Sequence, residues 1–275
     1  MGNLRVQTIG LCRFSYLGSG GFKIAHDTLE EHRRYLYNPH RLDLRMIWFE
    51  QVFLPAWHQQ TDPDYTMVML LSEDFPNPYR RRIEDLTRDL PQFRLSWQPP
   101  GPHREVCSAA VKAVIDPAAD VTAQFRLDDD DAVAVDFIAA LRRDFDLMQP
   151  FFREKRQMAL DYMRGVLLVD RGGVVEVQPR LVQSWAAGLV LFLPQGDARS
   201  VLDFPHHKVE LKMPVTLISD QLMFARGSHA ENDSRIQEGG TGFHFPQAKV
   251  EASLRSRFGI RLPALNNALS HYHSR

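Results

Sequence analysis

Residues 126–132 read Arg-Leu-Asp-Asp-Asp-Asp-Ala, so four carboxylates follow one another at the exit of a strand-like run. Adjacent carboxylates raise one another's pKa unless a cation or hydrogen bonds offset the repulsion. Hard oxygen donors suit Mg²⁺ or Mn²⁺, and Mg²⁺ is commonly held by one or two carboxylates together with substrate phosphates. The competing reading is an acidic loop that caps a helix starting near Val135, because aspartate favours N-caps and the positive end of the helix dipole. In an extended backbone Asp128 and Asp130 point to one face while Asp129 and Asp131 point to the other. Asp128 and Asp130 are then the natural pair for one ion, and Asp131 joins them if the chain turns at once.

The position of these residues depends on the elements around them. Residues 121–127 alternate apolar and polar side chains as a half-buried strand does, which sets the aspartates at its C-terminal end. Ligands of open α/β sheets bind beyond that end of the strands. Upstream, β-like runs alternate with helical patterns: strands at 4–16, 65–71 and 93–97, and helices at 42–60, 79–90 and 105–115. Pro55 is expected to kink or end the first of these helices. Downstream, a helix at 136–148 is expected to continue intermittently through 163. Val166–169 and 174–177 flank Arg171-Gly172-Gly173 as a hairpin, and further strands fall at 189–193, 215–218 and 222–225. With no repeat or clear linker, the economical reading is one α/β domain over residues 1–275, in two halves meeting near residue 132.

Composition excludes several function classes. The chain has 275 residues, 33 basic against 34 acidic, and a net charge of −1, so no global field draws it to nucleic acid. Arg80, Arg81 and Arg82 read as the charged outer face of a helix. Cys12 and Cys107 offer neither a disulfide framework nor zinc-ligand spacing, which makes a reducing, cytoplasmic setting the expectation. The N-terminus lacks signal-peptide order, and no apolar run approaches the roughly 20 residues of a membrane span. No transmembrane segment is expected, which leaves room for peripheral association with a membrane. Neither a G-x-S-x-G elbow nor a P-loop is present.

Four groups of residues occur in order along the chain. They are Arg13-Phe14-Ser15-Tyr16 with Gly20-Gly21-Phe22; Phe49-Glu50 with Leu54-Pro55 and Gln60-Thr61-Asp62; Arg126 to Ala132; and His229-x-x-Asn232-x-Ser234. With these the chain resembles a GT-A-type glycosyltransferase, and within that group the bacterial family of putative rhamnosyltransferases. The resemblance implies a GT-A-like domain with a Rossmann-like mixed central sheet flanked by helices. Residues 1–131 would form the nucleotide-sugar half and 132–275 the acceptor side.

It further implies transfer of a hexose, with rhamnose as one candidate, from a nucleoside-diphosphate sugar to a glycan or lipid-linked acceptor. Asp128 and Asp130 would hold Mn²⁺ or Mg²⁺, with Asp131 in reserve and His229 as a third-ligand candidate. Arg13, Gly20, Gly21, Lys23, Arg126 and Asp128 would face the donor, Arg126 either pairing with Asp128 or reaching a phosphate. An inverting reaction needs a base for the acceptor hydroxyl. Asp203, Asp220, Glu231 and Asp233 are the carboxylates in the right half, and Asp220 and Asp233 are favoured.

Two other readings stay open: a metal-dependent nucleotidyl or phosphoryl transferase, and a non-catalytic nucleotide-sugar-binding module. Trp185 either stacks on a sugar or base or belongs to the core. His206 and His207 are adjacent and point apart, which argues against a shared metal. His271 and His273 fall in a terminus where disorder is common.

Overall fold

The computed structural model describes residues 2–19, 28–232 and 242–275. β1 (Val6–Arg13) buries Ile9 and Leu11 in one core and Cys12 in another, so it is covered on both faces. The short β2 (Gly18–Ser19) follows. α1 (Leu29–Leu36) opens on a capping box in which the Thr28 and Glu31 side chains each accept the other's backbone N–H. α2 (Pro39–Trp48) starts at Asn38, whose side chain accepts from the His40 N–H. It runs on through a π-helical turn, Phe49–Phe53, into α3 (Leu54–Trp57).

Pro55 therefore does not end the helix but stands in the first turn of α3, directly after the π-helical turn. Proline lacks an N–H and crowds the carbonyl four residues back. The wider turn, in which the Leu54 N–H reaches the Phe49 carbonyl, absorbs it.

β3 (Thr66–Ser72), α4 (Asn77–Thr87), β4 (Phe93–Gln98), the short β5 (Gly101–Pro102), α5 (His103–Lys112) and β6 (Val121–Asp128) complete the first half with the expected alternation. Beyond the aspartates come β7 (Ala132–Val133), α6 (Phe137–Lys155) and β8 (Met158–Tyr162). Here the structure departs from the expected continuation of the helix. The helix does not run to 163: Arg156 caps it in the left-handed region at φ 62°, and the five residues of β8 are all buried. Strand pairing on both sides outweighs the helical period there.

β9 (Arg164–Asp170) and β10 (Val175–Leu181) form the hairpin around Gly172 and Gly173, both at positive φ. β11 (Leu189–Pro194), β12 (Val215–Ile218), β13 (Phe224–Ser228), α7 (Gln247–Phe258) and α8 (Leu262–His273) follow. The last two histidines are thus helical, not a loose tail: Tyr272 is buried and His273 Nε2 lies 2.7 Å from Asp170.

The central sheet has the order β12-β8-β11-β6-β1-β3-β4, and every strand runs parallel except β11. A mixed sheet flanked by helices with a core on each face is the α/β architecture expected. A second sheet, β10-β9-β13-β7, matters for the site. It pairs β7, just after the aspartates, with β13, just before His229. Among the described residues no helix is long and apolar enough to cross a membrane.

Candidate functional site

β1 and β6 end side by side, with Arg13 opposite Asp128 in register. The chain then reverses, the Asp131 N–H donating to the Asp128 carbonyl at 3.1 Å. That turn brings Asp131 back beside its predecessors. Carboxylate oxygens of Asp128, Asp130 and Asp131 lie within 4.8 Å of one another, Asp128 exposed and the other two buried. Asp129 is turned away into the protein. It forms a buried two-pronged ion pair with Arg45 of α2, Nε to Oδ2 at 2.9 Å and Nη2 to Oδ1. Burial pushes the Asp129 carboxyl up, and Arg45 opposes that shift.

Asp130 Oδ2 meets His229 Nε2 at 3.0 Å and the Asn232 amide at 2.6 Å. His229 Nδ1 accepts the Glu231 N–H at 3.2 Å, so Nε2 carries the proton and donates to Asp130. Burial alone would raise the Asp130 carboxyl, but the His229 hydrogen bond and the charges of Arg45 and Arg226 hold it down at about 2. Asp131 is pushed up by burial and by Asp130, although the Gly227 N–H reaches its Oδ1 at 3.1 Å. Gly227 is required there. A Cβ on it would stand 2.6 Å from the Asp130 carbonyl oxygen, so only glycine lets β13 close on the turn.

α2 supports both sides of this arrangement. Arg45 also donates to the Glu231 carbonyl at 3.2 Å, Arg41 to Ser15 Oγ at 2.9 Å, and the Trp48 ring stacks on His229 at 5.1 Å. Arg41, Arg45 and Trp48 recur at i, i+4 and i+7, one face of a helix. That spacing is present in the sequence, on the same helix whose apolar positions give it its period. His229 accordingly meets the aspartates through a hydrogen bond, while the oxygens that converge belong to Asp128, Asp130 and Asp131.

Positive charge gathers beside them. Arg126 has its pKa lowered by burial and by Arg13 and Arg226, with Asp128 acting the other way. Arg226, not singled out in the sequence, acts on both Asp130 and Asp131 and lies 4.9 Å over the Trp185 ring. Trp185 also leans on Phe224 of the core at 5.9 Å.

Of the other sequence candidates, Gly20, Gly21, Lys23 and Asp233 lie outside the described residues. Asp203 caps the turn that starts at Ser200, and Glu231 lies 3.6 Å from Arg41. Asp220 is exposed beyond the end of β12, with its carbonyl accepting from Arg164 at 3.4 Å. Two strands separate β12 from β6, about 14 Å at ordinary strand spacing. The structure thus brings Arg13, Arg126, Asp128, Asp130, Asp131 and His229 to one end of the sheet and leaves Asp220 at its edge.

The sequence profile of a family described as "Putative rhamnosyl transferase" matches residues 7–241. The chain belongs to this family. The matched stretch of the rhamnosyl transferase profile takes in Arg13, the aspartate turn and His229, and stops short of α7 and α8. No curated protein matches the chain. Among solved structures, S. aureus TarS 1-349 is 11% identical, with 80% of this chain and 60% of that one covered at a TM-score of 0.43. The same fragment in complex with UDP is 10% identical, with 82% and 60% covered at 0.42. A glucose-1-phosphate thymidylyltransferase from Bacillus anthracis, described as putative and in complex with sucrose, is 8% identical, with 80% and 89% covered at 0.36. The chain spans three fifths of the TarS fragment's length.

Proposed function

We propose that this member of the rhamnosyl transferase family is a metal-assisted glycosyltransferase that moves a hexose, with rhamnose the family's own candidate, from a nucleoside-diphosphate sugar to a glycan or lipid-linked acceptor. The carrying observation is the convergence of Asp128, Asp130 and Asp131 oxygens within 4.8 Å at the C-terminal end of the sheet. Three hard oxygen donors, two of them buried beside each other, suit Mn²⁺ or Mg²⁺. A divalent ion held there supplies Lewis-acid stabilisation of the negative charge that grows on the departing diphosphate.

The chain's own residues have distinct tasks in this reading. Arg13, Arg126 and Arg226 bind and orient the diphosphate oxygens, which is what guanidinium groups do well. His229 and Asn232 keep Asp130 ionised and aimed, and the Asp129–Arg45 pair fixes the turn. Residues 1–131 serve the donor and 132–275 the acceptor within one glycosyltransferase domain. The free, buried Cys12 and Cys107 suit a reducing cytoplasmic setting.

Incubation with Mn²⁺ and a panel of UDP-, dTDP- and GDP-sugars tests the reading. Nucleoside diphosphate is the expected product, and Asp130→Ala is expected to abolish its release. Release of pyrophosphate would favour nucleotidyl transfer instead, and full turnover by Asp130→Ala would remove the metal assignment.

A further inference from the structure

We propose that His206 is the general base that takes the proton from the acceptor hydroxyl. This rests on the glycosyltransferase reading above and gives it a group that Asp203, Asp220 and Glu231, the carboxylate candidates among the described residues, do not supply. Asp203 is engaged in capping, Glu231 faces Arg41, and Asp220 stands at the sheet's edge.

His206 is half-buried at the start of a 3-10 turn, His206–Leu211, that is anchored by buried Val209. Its Nδ1 lies 2.6 Å from the Ser184 carbonyl oxygen. A carbonyl only accepts, so Nδ1 carries the proton and the lone pair is on Nε2. That is the tautomer a base needs.

Ser184 is itself unusual. It is a non-glycine residue in the left-handed region at φ 58°, and its N–H donates to Asp161 Oδ2 at 2.7 Å. Asp161 is 1% exposed, and its other oxygen is buried without a hydrogen-bond partner among the described residues. The strained residue is thus pinned by a carboxylate on one side and by the imidazole on the other. Such strain persists only where the surroundings enforce it, and it clusters at functional sites.

The charged and titratable groups that act on the ring come from three elements: Arg126 on β6, Arg226 on β13 and the neighbouring His207, whose ring stands edge-on at 5.5 Å. Burial lowers the His206 pKa, both arginines and His207 add to that, and the Ser184 hydrogen bond opposes it. The ring is therefore neutral where an ordinary histidine begins to charge. Arg226, which acts on Asp130 and Asp131, lies 4.9 Å over the ring of Trp185, the neighbour of Ser184, so His206 and the aspartate turn are joined through the same arginine.

In the step, the acceptor O–H bond breaks and its proton passes to Nε2. The oxygen forms a bond to the anomeric carbon as that carbon's bond to the diphosphate oxygen breaks. The electron pair leaves on the nucleoside diphosphate, and the configuration inverts. His206 then returns the proton to solvent.

The test uses the full chain with Mn²⁺, the same donor panel, and water as acceptor. His206→Gln is expected to cut nucleoside-diphosphate release about 100-fold or more, the usual worth of a positioned base. Its calorimetric affinity for UDP, dTDP or GDP with Mn²⁺ should be unchanged. Added imidazole should restore release to His206→Gly, and Asp220→Asn should stay within about threefold of the parent. Undiminished release by His206→Gln, no imidazole rescue, or a collapse in Asp220→Asn would each overturn the base while leaving the glycosyltransferase reading intact. Absence of release from the parent with every donor would overturn that reading and the base with it. Long-range ¹⁵N–¹H spectra give a check independent of turnover: the Nδ1–H tautomer is expected, and an Nε2–H tautomer refutes the assignment.

Discussion

Four identical side chains in a row have three different fates here, and the difference lies in their partners. Asp128 is exposed, Asp130 and Asp131 are buried with hydrogen-bond donors from the β13 side, and Asp129 is buried against a guanidinium from α2. Alternation along the strand separates Asp129 from Asp128 and Asp130 in the sequence. What it cannot reveal is Arg45, 84 residues away, which makes Asp129 half of a buried ion pair. The contrast predicts opposite behaviour for two neighbouring substitutions. Asp129→Ala leaves the Arg45 charge in the interior without its carboxylate and should cost about 3–5 kcal/mol. Asp128→Asn, at an exposed site, should change stability by no more than about 0.5 kcal/mol. Urea unfolding without metal measures both, and Mn²⁺ titration of the folded proteins should show the weaker binding in Asp128→Asn.

The strands and helices expected in the first half are legible because each has a clean period and a turn at its end, whereas the short, largely polar α1 has no such apolar period and is not among them. β8 is not legible either, since Met158–Tyr162 is a short, wholly buried run whose pairing partners lie over 25 residues downstream. The π turn before Pro55 likewise has no sequence signature beyond the proline itself. β8 also carries Asp161, whose burial raises its carboxyl to about 6, with the Ser184 N–H opposing. The unfolded value is about 3.9, so the native state binds the proton more tightly between these limits. Stability from this residue is complete below about pH 4 and is lost as the pH rises through about 6. Two units correspond to about 3 kcal/mol. Asp161→Asn mimics the protonated form and should remove that part of the decline. Urea midpoints from pH 4 to 7 for both proteins check it, and an identical slope would mean that Asp161 does not titrate as its burial implies.

At the scale of the molecule, the site depends on pieces far apart in the chain. The second sheet closes β13 on the aspartate turn, and α2 reaches that turn from the other side. α2 in turn rests on α8, which contributes buried Leu265, Leu269 and Tyr272 to the core. α8 is tied to the β9–β10 hairpin by Ser270 Oγ donating to the Gly173 carbonyl at 2.9 Å and by the Val175 N–H donating to Asn266 at 2.9 Å. None of this is visible in a local reading, because the contacts link residues 84 or more positions apart. Burying three such side chains contributes about 1.5–3 kcal/mol each, a sum comparable with the whole stability of a domain. Leu269→Ala should therefore cost about 2–5 kcal/mol in urea unfolding. Its folded fraction should bind Mn²⁺ as the parent does, because the aspartates keep their own partners. Deleting residues 262–275 should abolish the cooperative transition altogether. A cooperative transition in the deletion variant would show that α2 holds Arg45 against Asp129 without α8 behind it.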